Sequence, residues 1–168
     1  MDTFLEAVSN AMIAYDAGDP MRIHHFLKVH AFARMIGQAE HLSSDTQLIL
    51  ETAALVHDIG IHRAEAVYGS SAGKYQEELG PAEARTLLTG LNCPPPIRER
   101  VCWLVGHHHT YSQIDGPDYQ ILVEADFLVN LYEDDAAPAA QKTAYERIFR
   151  TESGRRLCRE LYPAVTAR

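Results

Sequence analysis

The chain has 168 residues, of which 46% are hydrophobic, and its formal net charge is -8. This length and composition predict a single globular domain over residues 1–168. The acidic balance argues against a duplex nucleic acid as partner, because such binding needs a basic surface that displaces counterions from phosphates.

Membrane and export signals are not predicted either. No apolar run approaches the roughly 20 residues of a membrane helix, and the amino terminus lacks the pattern of a signal peptide. The three cysteines, Cys93, Cys102 and Cys158, have no CxxC spacing, which predicts reduced, buried thiols in a cytoplasmic protein. The sequence leaves the oligomeric state open, with a homodimer as one alternative.

Apolar residues that recur every three or four positions predict helices from the amino terminus onward. A first helix is predicted over residues 3–17. A second begins near Pro20, which suits a first helical turn. In this helix His25 lies one turn before Val29 on the inward stripe, so we expect its side chain to point into the core.

A third helix is predicted to be capped within residues 43–45 and to end with His57 and Asp58. The stretch that follows, residues 61–80, is polar and contains glycine. We expect at most short helical turns there, in a segment that could cover the end of the third helix. Pro81 then suits the first turn of a further helix over residues 81–91.

The next predicted helix runs over residues 97–106 and is followed by three consecutive histidines at 107–109. A strongly apolar helix is predicted over residues 119–134, with Asp126 in its middle. One or two amphipathic helices complete the chain. Since no alternating strand pattern is found, the predicted fold class is all-α.

Four residues form a candidate ligand set: His25, His57, Asp58 and Asp126. Neutral imidazoles and carboxylates suit Mn, Fe, Co, Zn or Mg. Asp126 lies among apolar neighbours, where a buried carboxylate needs a partner to offset a penalty of several kcal/mol. A divalent metal ion is such a partner, whereas each residue taken alone is as well explained by a structural role.

The order of these residues resembles the HD superfamily of metal-dependent phosphohydrolases. The resemblance covers residues 21–134 and rests on three local sequences, HHFLKVHAFARMIG, ETAALVHDIGIH and ILVEADFLVNLYE. It implies an HD-type bundle of about six to eight helices, flanked by amino- and carboxy-terminal helices. It also implies that His25, His57, Asp58 and Asp126 hold one metal ion.

A second metal ion is left open, and His107 and His108 are its candidate ligands because they directly follow a helix. For catalysis we expect Asp58 to orient or deprotonate the attacking water. His62 stands near the position where family members often carry lysine, and it is a candidate for an acid or base. The candidate contacts to a phosphorylated substrate are Arg63, Lys74 and His109.

Three functions remain open on the sequence alone. The first is hydrolysis of a nucleotide or another small phosphate ester. The second is a di-iron oxygenase, since the HD fold also hosts such enzymes with extra histidines. The third is a protein that binds a nucleotide without turning it over.

Overall fold

The structure is a computed structural model that describes residues 2–166. Within this range the chain is helical and contains no β-strand, which confirms the all-α prediction. The α-helices are α1 (Asp2–Tyr15), α2 (Pro20–Ala39), α3 (Ser44–Val56), α4 (Ile61–Tyr68), α5 (Gly73–Gly90), α6 (Pro95–Val105), α7 (Pro117–Glu133), α8 (Pro138–Arg147) and α9 (Glu152–Leu161), and a 3-10 turn, Pro163–Thr166, follows. Among the described residues, no helix is both long and apolar enough to cross a membrane.

Side-chain caps fix the starts of α2 and α3. The Asp19 carboxylate accepts a hydrogen bond from the Arg22 amide at 3.2 Å, and Pro20 occupies the first turn of α2. The Ser43 hydroxyl accepts from the Thr46 amide at 3.3 Å. These contacts satisfy amide groups that have no partner within the helix, and they confirm where both helices were expected to begin.

The centre of the fold is the contact between α2, α3 and α7, and α3 also packs against α1 and α6. Their facing stripes are fully buried, and the largest side chains there are Phe26, Ile36, Leu50, Leu55, Ile121 and Leu122. All three cysteines are free and buried, as predicted. Because α2, α3 and α7 meet along their apolar faces, polar residues on these three faces are buried close to one another.

The prediction for residues 61–80 is wrong, because helices occupy most of this stretch. Ile61 and Ala64 are buried one turn apart and form the apolar side of α4. α5 already begins at Gly73, so Pro81 lies inside that helix and not in its first turn.

Close packing at two glycines explains why α5 continues through Pro81. A Cβ atom on Gly60 would lie 2.9 Å from the Cα of Gly80, and one on Gly80 would lie 2.8 Å from the Val105 side chain. The missing proline amide costs one intrahelical hydrogen bond. The packing against Gly60 and Val105 offsets this loss, so tertiary contacts override the local sequence signal.

Candidate metal centre

The four side chains predicted as ligands converge where α2, α3 and α7 meet, and we call them the first ligand group. The Nε2 atoms of His25 and His57 are 3.2 Å apart. Asp126 Oδ1 lies 3.2 Å from His25 Nε2 and 3.6 Å from His57 Nε2. Asp58 Oδ2 lies 3.4 Å and 3.5 Å from the same two atoms. The structure therefore brings together residues that are more than one hundred positions apart in the chain.

Three imidazoles of the centre are held through their Nδ1 atoms. His57 Nδ1 lies 2.9 Å from the Ala54 carbonyl oxygen, and His108 Nδ1 lies 2.8 Å from the Val105 carbonyl oxygen. His25 Nδ1 lies 2.7 Å from Glu133 Oε2. A carbonyl oxygen or carboxylate only accepts hydrogen bonds, so Nδ1 carries the proton in each ring. The neutral ring then offers the Nε2 lone pair to the centre.

Asp58 connects the first ligand group to a second one. Its Oδ2 faces His25 and His57, while its Oδ1 lies 3.4 Å from His108 Nε2. Ligand atoms of Asp58, His108 and His109 all lie within 4.8 Å of one another, and we call these residues the second ligand group. The Asp58 carboxylate thus presents one oxygen atom to each group.

The distances and the unpartnered nitrogen atoms fit a divalent cation. Neighbouring ligand atoms about 2.1 Å from one ion are separated by roughly 3.0 to 3.4 Å in octahedral or tetrahedral geometry. The separations in the first ligand group, 3.2 to 3.6 Å, are close to these values. In the second group, the buried Nε2 atoms of His108 and His109 have no hydrogen-bond partner among residues 2–166. Such atoms are costly to bury unless a ligand occupies them.

The charges in the first ligand group stabilise one another. Burial disfavours a charged imidazole at His57, but the carboxylates of Asp58 and Asp126 outweigh burial and raise its pKa from 6.5 to about 9. Burial also opposes ionisation of Asp126, yet hydrogen bonds to His25 and His57 hold the pKa of this carboxyl well below its usual value. The metal-free centre therefore binds a proton where a cation would bind, and the two compete.

The pKa of His109 is shifted in the opposite direction from that of His57. Burial and the neighbouring His108 lower the pKa of its imidazole to about 4. Its ring lies 4.0 Å from the His108 ring, between centroids, and contacts the position where a Cβ on Gly73 would be. A neutral His109 keeps a nitrogen lone pair for a cation or a proton.

His107 is not brought to the centre, although the sequence made it a candidate ligand. Its Nδ1 lies 2.7 Å from the Trp103 carbonyl oxygen, and its ring stacks on the Trp103 ring with a centroid distance of 4.0 Å. The turn after α6 directs His108 and His109 inward instead. His109, predicted as a substrate contact, takes the place in the second ligand group that was expected of His107.

The remaining candidates lie outside both ligand groups. His62 Nε2 lies 2.9 Å from Asp16 Oδ1, and its Nδ1 lies 3.3 Å from Arg22 Nη1. Arg63 is exposed on α4. Lys74 is exposed in the first turn of α5, with its ammonium group 4.6 Å from the centre of the Tyr75 ring.

Two residues that contact the candidate ligands were not predicted from the sequence. Glu133 contacts His25 as described, and it also accepts a hydrogen bond from Lys28 at 2.6 Å. Asn130 donates from Nδ2 to Asp126 Oδ1 at 2.9 Å. The signal was available in part, because positions 126, 130 and 133 share one face of a helix.

The fold and the site define a class of protein, an all-α domain with a cluster of histidines and aspartates at its centre. Known proteins of this class resemble the chain. Residues 22–150 match the family model of the HD domain, and the chain belongs to this family. The chain is also similar to the crystal structure of a predicted HD superfamily hydrolase from an uncultured Thermotogales bacterium. That similarity has a TM-score of 0.64 and 27% identity, and it covers 98% of this chain and 86% of the other. Comparison with curated proteins gives no match.

Proposed function

We propose that the protein is a metal-dependent phosphohydrolase that acts on a nucleotide or another small phosphate ester. Membership of the HD domain family supports this function, and the similar Thermotogales protein is described as a predicted hydrolase. The donor set of imidazoles and carboxylates suits Mn, Fe, Co, Zn or Mg.

The observation that carries the proposal is the position of Asp58 between the two ligand groups. His25, His57, Asp58 and Asp126 would hold one divalent ion, and Asp58, His108 and His109 would hold a second. A divalent ion at such a centre lowers the pKa of water and stabilises charge on a transferring phosphoryl group.

The side chains of this chain then have separate tasks. Asp58 would orient the attacking water, since its carboxylate side chain is 22% exposed while His57 is fully buried. Asp126 remains ionised and is held by Asn130. Glu133 fixes the ring of His25. A catalytic role for His62 would require its contact with Asp16 to open, and it stays a prediction, as do substrate contacts by Arg63 and Lys74.

The test begins with elemental analysis of the purified protein, followed by a screen of phosphate monoesters and diesters with the metal found. We expect bound divalent metal and phosphate release. His25→Ala should lose both. His24→Ala is the matched control, because His24 is the adjacent histidine on α2 but is exposed. The proposal is refuted if the metal-loaded protein hydrolyses no phosphate ester, or if both variants behave alike.

A di-iron oxygenase is the second candidate, and the second ligand group is the observation that favours it. A carboxylate with one oxygen directed to each of two histidine-containing groups also suits a pair of iron ions. Iron in the purified protein, together with oxygen consumption, would support this function. Binding of phosphorylated ligands without turnover across the screen would instead identify a nucleotide-binding protein that is not an enzyme.

A further inference from the structure

His109 is held in place differently from the other imidazoles of the centre. The rings of His25, His57 and His108 are fixed through Nδ1, as described above. His109 lies on the turn that follows α6, and the contacts that fix it come from α5. One residue of that helix contacts its backbone, and another contacts its ring.

The backbone of His109 is tied to the carboxylate of Glu77. The His109 amide donates to Glu77 Oε1 at 3.0 Å. The Thr110 hydroxyl donates to the same oxygen atom at 2.9 Å and lies 3.2 Å from Oε2. Hydrogen bonds to a carboxylate are stronger than those between neutral groups. Glu77 therefore fixes the main chain at the residue whose side chain enters the second ligand group.

The ring of His109 packs against Gly73, one helical turn before Glu77. A Cβ atom at position 73 would lie 2.8 Å from Cγ and 2.9 Å from Cδ2 of His109, closer than a real Cβ atom approaches. Glycine weakens a helix relative to alanine, so the contact with His109 explains its place in the first turn of α5. Positions 73 and 77 are four residues apart and share one face of the helix.

These contacts leave a nitrogen atom of the His109 ring available to a cation. His109 Nε2 is buried and has no hydrogen-bond partner among residues 2–166, and the same is true of His108 Nε2. Ligand atoms of both histidines lie within 4.8 Å of a ligand atom of Asp58. The Glu77 carboxylate is instead occupied by the His109 amide and the Thr110 hydroxyl. Glu77 thus orients a candidate ligand and is not one itself.

We propose that Glu77 is a positioning residue for the second cation, an inference that rests on the two-ion centre of the proposed function. Its carboxylate holds the main chain of His109, so that the imidazole reaches the ion shared with Asp58 and His108. Gly73 supports the same placement by leaving room for the ring. Neither Glu77 nor Gly73 belongs to the first ligand group, so binding of the first ion should not depend on them.

The test is a calorimetric titration of the metal-free full chain with Zn²⁺. The unaltered protein should bind two equivalents. Glu77→Ala should weaken the binding of one equivalent about 10- to 100-fold, as expected when a metal ligand loses its hydrogen-bonding support, and leave the other unchanged. His108→Ala, which removes a ligand of the second group, should affect the same equivalent and so identifies it.

Two variants beside these serve as rescue and control. Glu77→Gln should recover most of the lost affinity, because its amide oxygen still accepts a hydrogen bond from the His109 amide. Glu78→Ala is the matched control, since Glu78 is the adjacent glutamate but is exposed and accepts a hydrogen bond from Tyr68. It should bind both equivalents like the unaltered protein.

Two further readouts separate positioning from a general loss of structure. Gly73→Ala should weaken the same equivalent as Glu77→Ala, because the added methyl group displaces the His109 ring. Gly90→Ala, at the end of the same helix, has open space around the added Cβ and should have no effect. Visible absorption of the Co²⁺-loaded Glu77→Ala protein should differ from that of the unaltered protein, while circular dichroism shows the same helical content.

The outcomes separate the role of Glu77 from the proposed function. If Glu77→Ala binds both equivalents within about twofold of the unaltered protein, or Glu77→Gln binds as weakly as Glu77→Ala, the positioning role is refuted and the phosphohydrolase function stands. A single equivalent in the unaltered protein would refute the second ion and this inference with it, and hydrolysis of phosphate esters would still support the function. If two equivalents bind as expected but no ester is hydrolysed, the role of Glu77 holds and the function fails.

Discussion

Replacement of Glu133 tests whether metal binding depends on the residues that form hydrogen bonds to the candidate ligands. Glu133 Oε2 lies 2.7 Å from His25 Nδ1, in a position where the glutamate side chain is 22% exposed and the histidine side chain 9% exposed. This contact fixes the proton on Nδ1 and directs the Nε2 lone pair toward the centre. Glu133→Ala leaves the ring free to rotate and removes a nearby negative charge, so metal affinity should fall.

The expected loss is about 10- to 100-fold in metal affinity, or roughly 1.4 to 2.7 kcal/mol. Competition between the metal-free protein and a chelator of known affinity measures it. Glu133→Gln should recover part of the loss, since the amide oxygen still accepts from Nδ1. Lys28→Met is the matched control, because it removes the 2.6 Å contact of Lys28 with Glu133 but spares His25. Affinity of Glu133→Ala within twofold of the unaltered protein would show that this reasoning is wrong.

Three further perturbations test the centre and its surroundings. Asp58→Ala should lower metal content and activity together, by about 100-fold or more. Its helical content, measured by circular dichroism, should be unchanged. Retained turnover in this variant would contradict the assignment of Asp58 to both ligand groups. Because the pKa of His57 is raised from 6.5 to about 9, the stability gained from its proton is complete below pH 6.5 and lost as the pH rises through about 9. Thermal unfolding should therefore show that the metal-free protein becomes less stable over this pH range, while its affinity for the metal ion rises. If stability and metal affinity instead rise or fall together, the proton and the cation do not compete for the centre. Gly60→Ala should destabilise the fold by about 1 to 3 kcal/mol in urea, since its Cβ would meet the α5 backbone at 2.9 Å, whereas Gly90→Ala, with open space around the added Cβ, should not.

Most of the helices, and the convergence of His25, His57, Asp58 and Asp126, could be predicted from the sequence because local patterns indicate both. His25 and Asp126 each interrupt an apolar stripe of a long helix, and such a stripe faces the core wherever the helix packs. His57 and Asp58 follow a helix end, where adjacent side chains can reach one point. The resemblance to the HD superfamily assigns the residues at these three positions to one metal site.

Other features depend on contacts that the sequence does not specify. The backbone after Gly106 determines which of the three consecutive histidines face the centre. His107 stacks on Trp103 instead, whereas His108 and His109 lie beside Asp58. The length of α5 depends on the close fit of Gly80, inside α5, against Gly60, the residue before α4. The contact of Glu133 with His25 requires knowledge of how α2 and α7 align.

The most direct test of the metal centre is an anomalous difference map from crystals of the protein loaded with Zn²⁺ or Mn²⁺. The account predicts a peak about 2.0 to 2.2 Å from His25 Nε2, His57 Nε2 and one oxygen each of Asp58 and Asp126. A fully loaded crystal with no peak among these four side chains would contradict it.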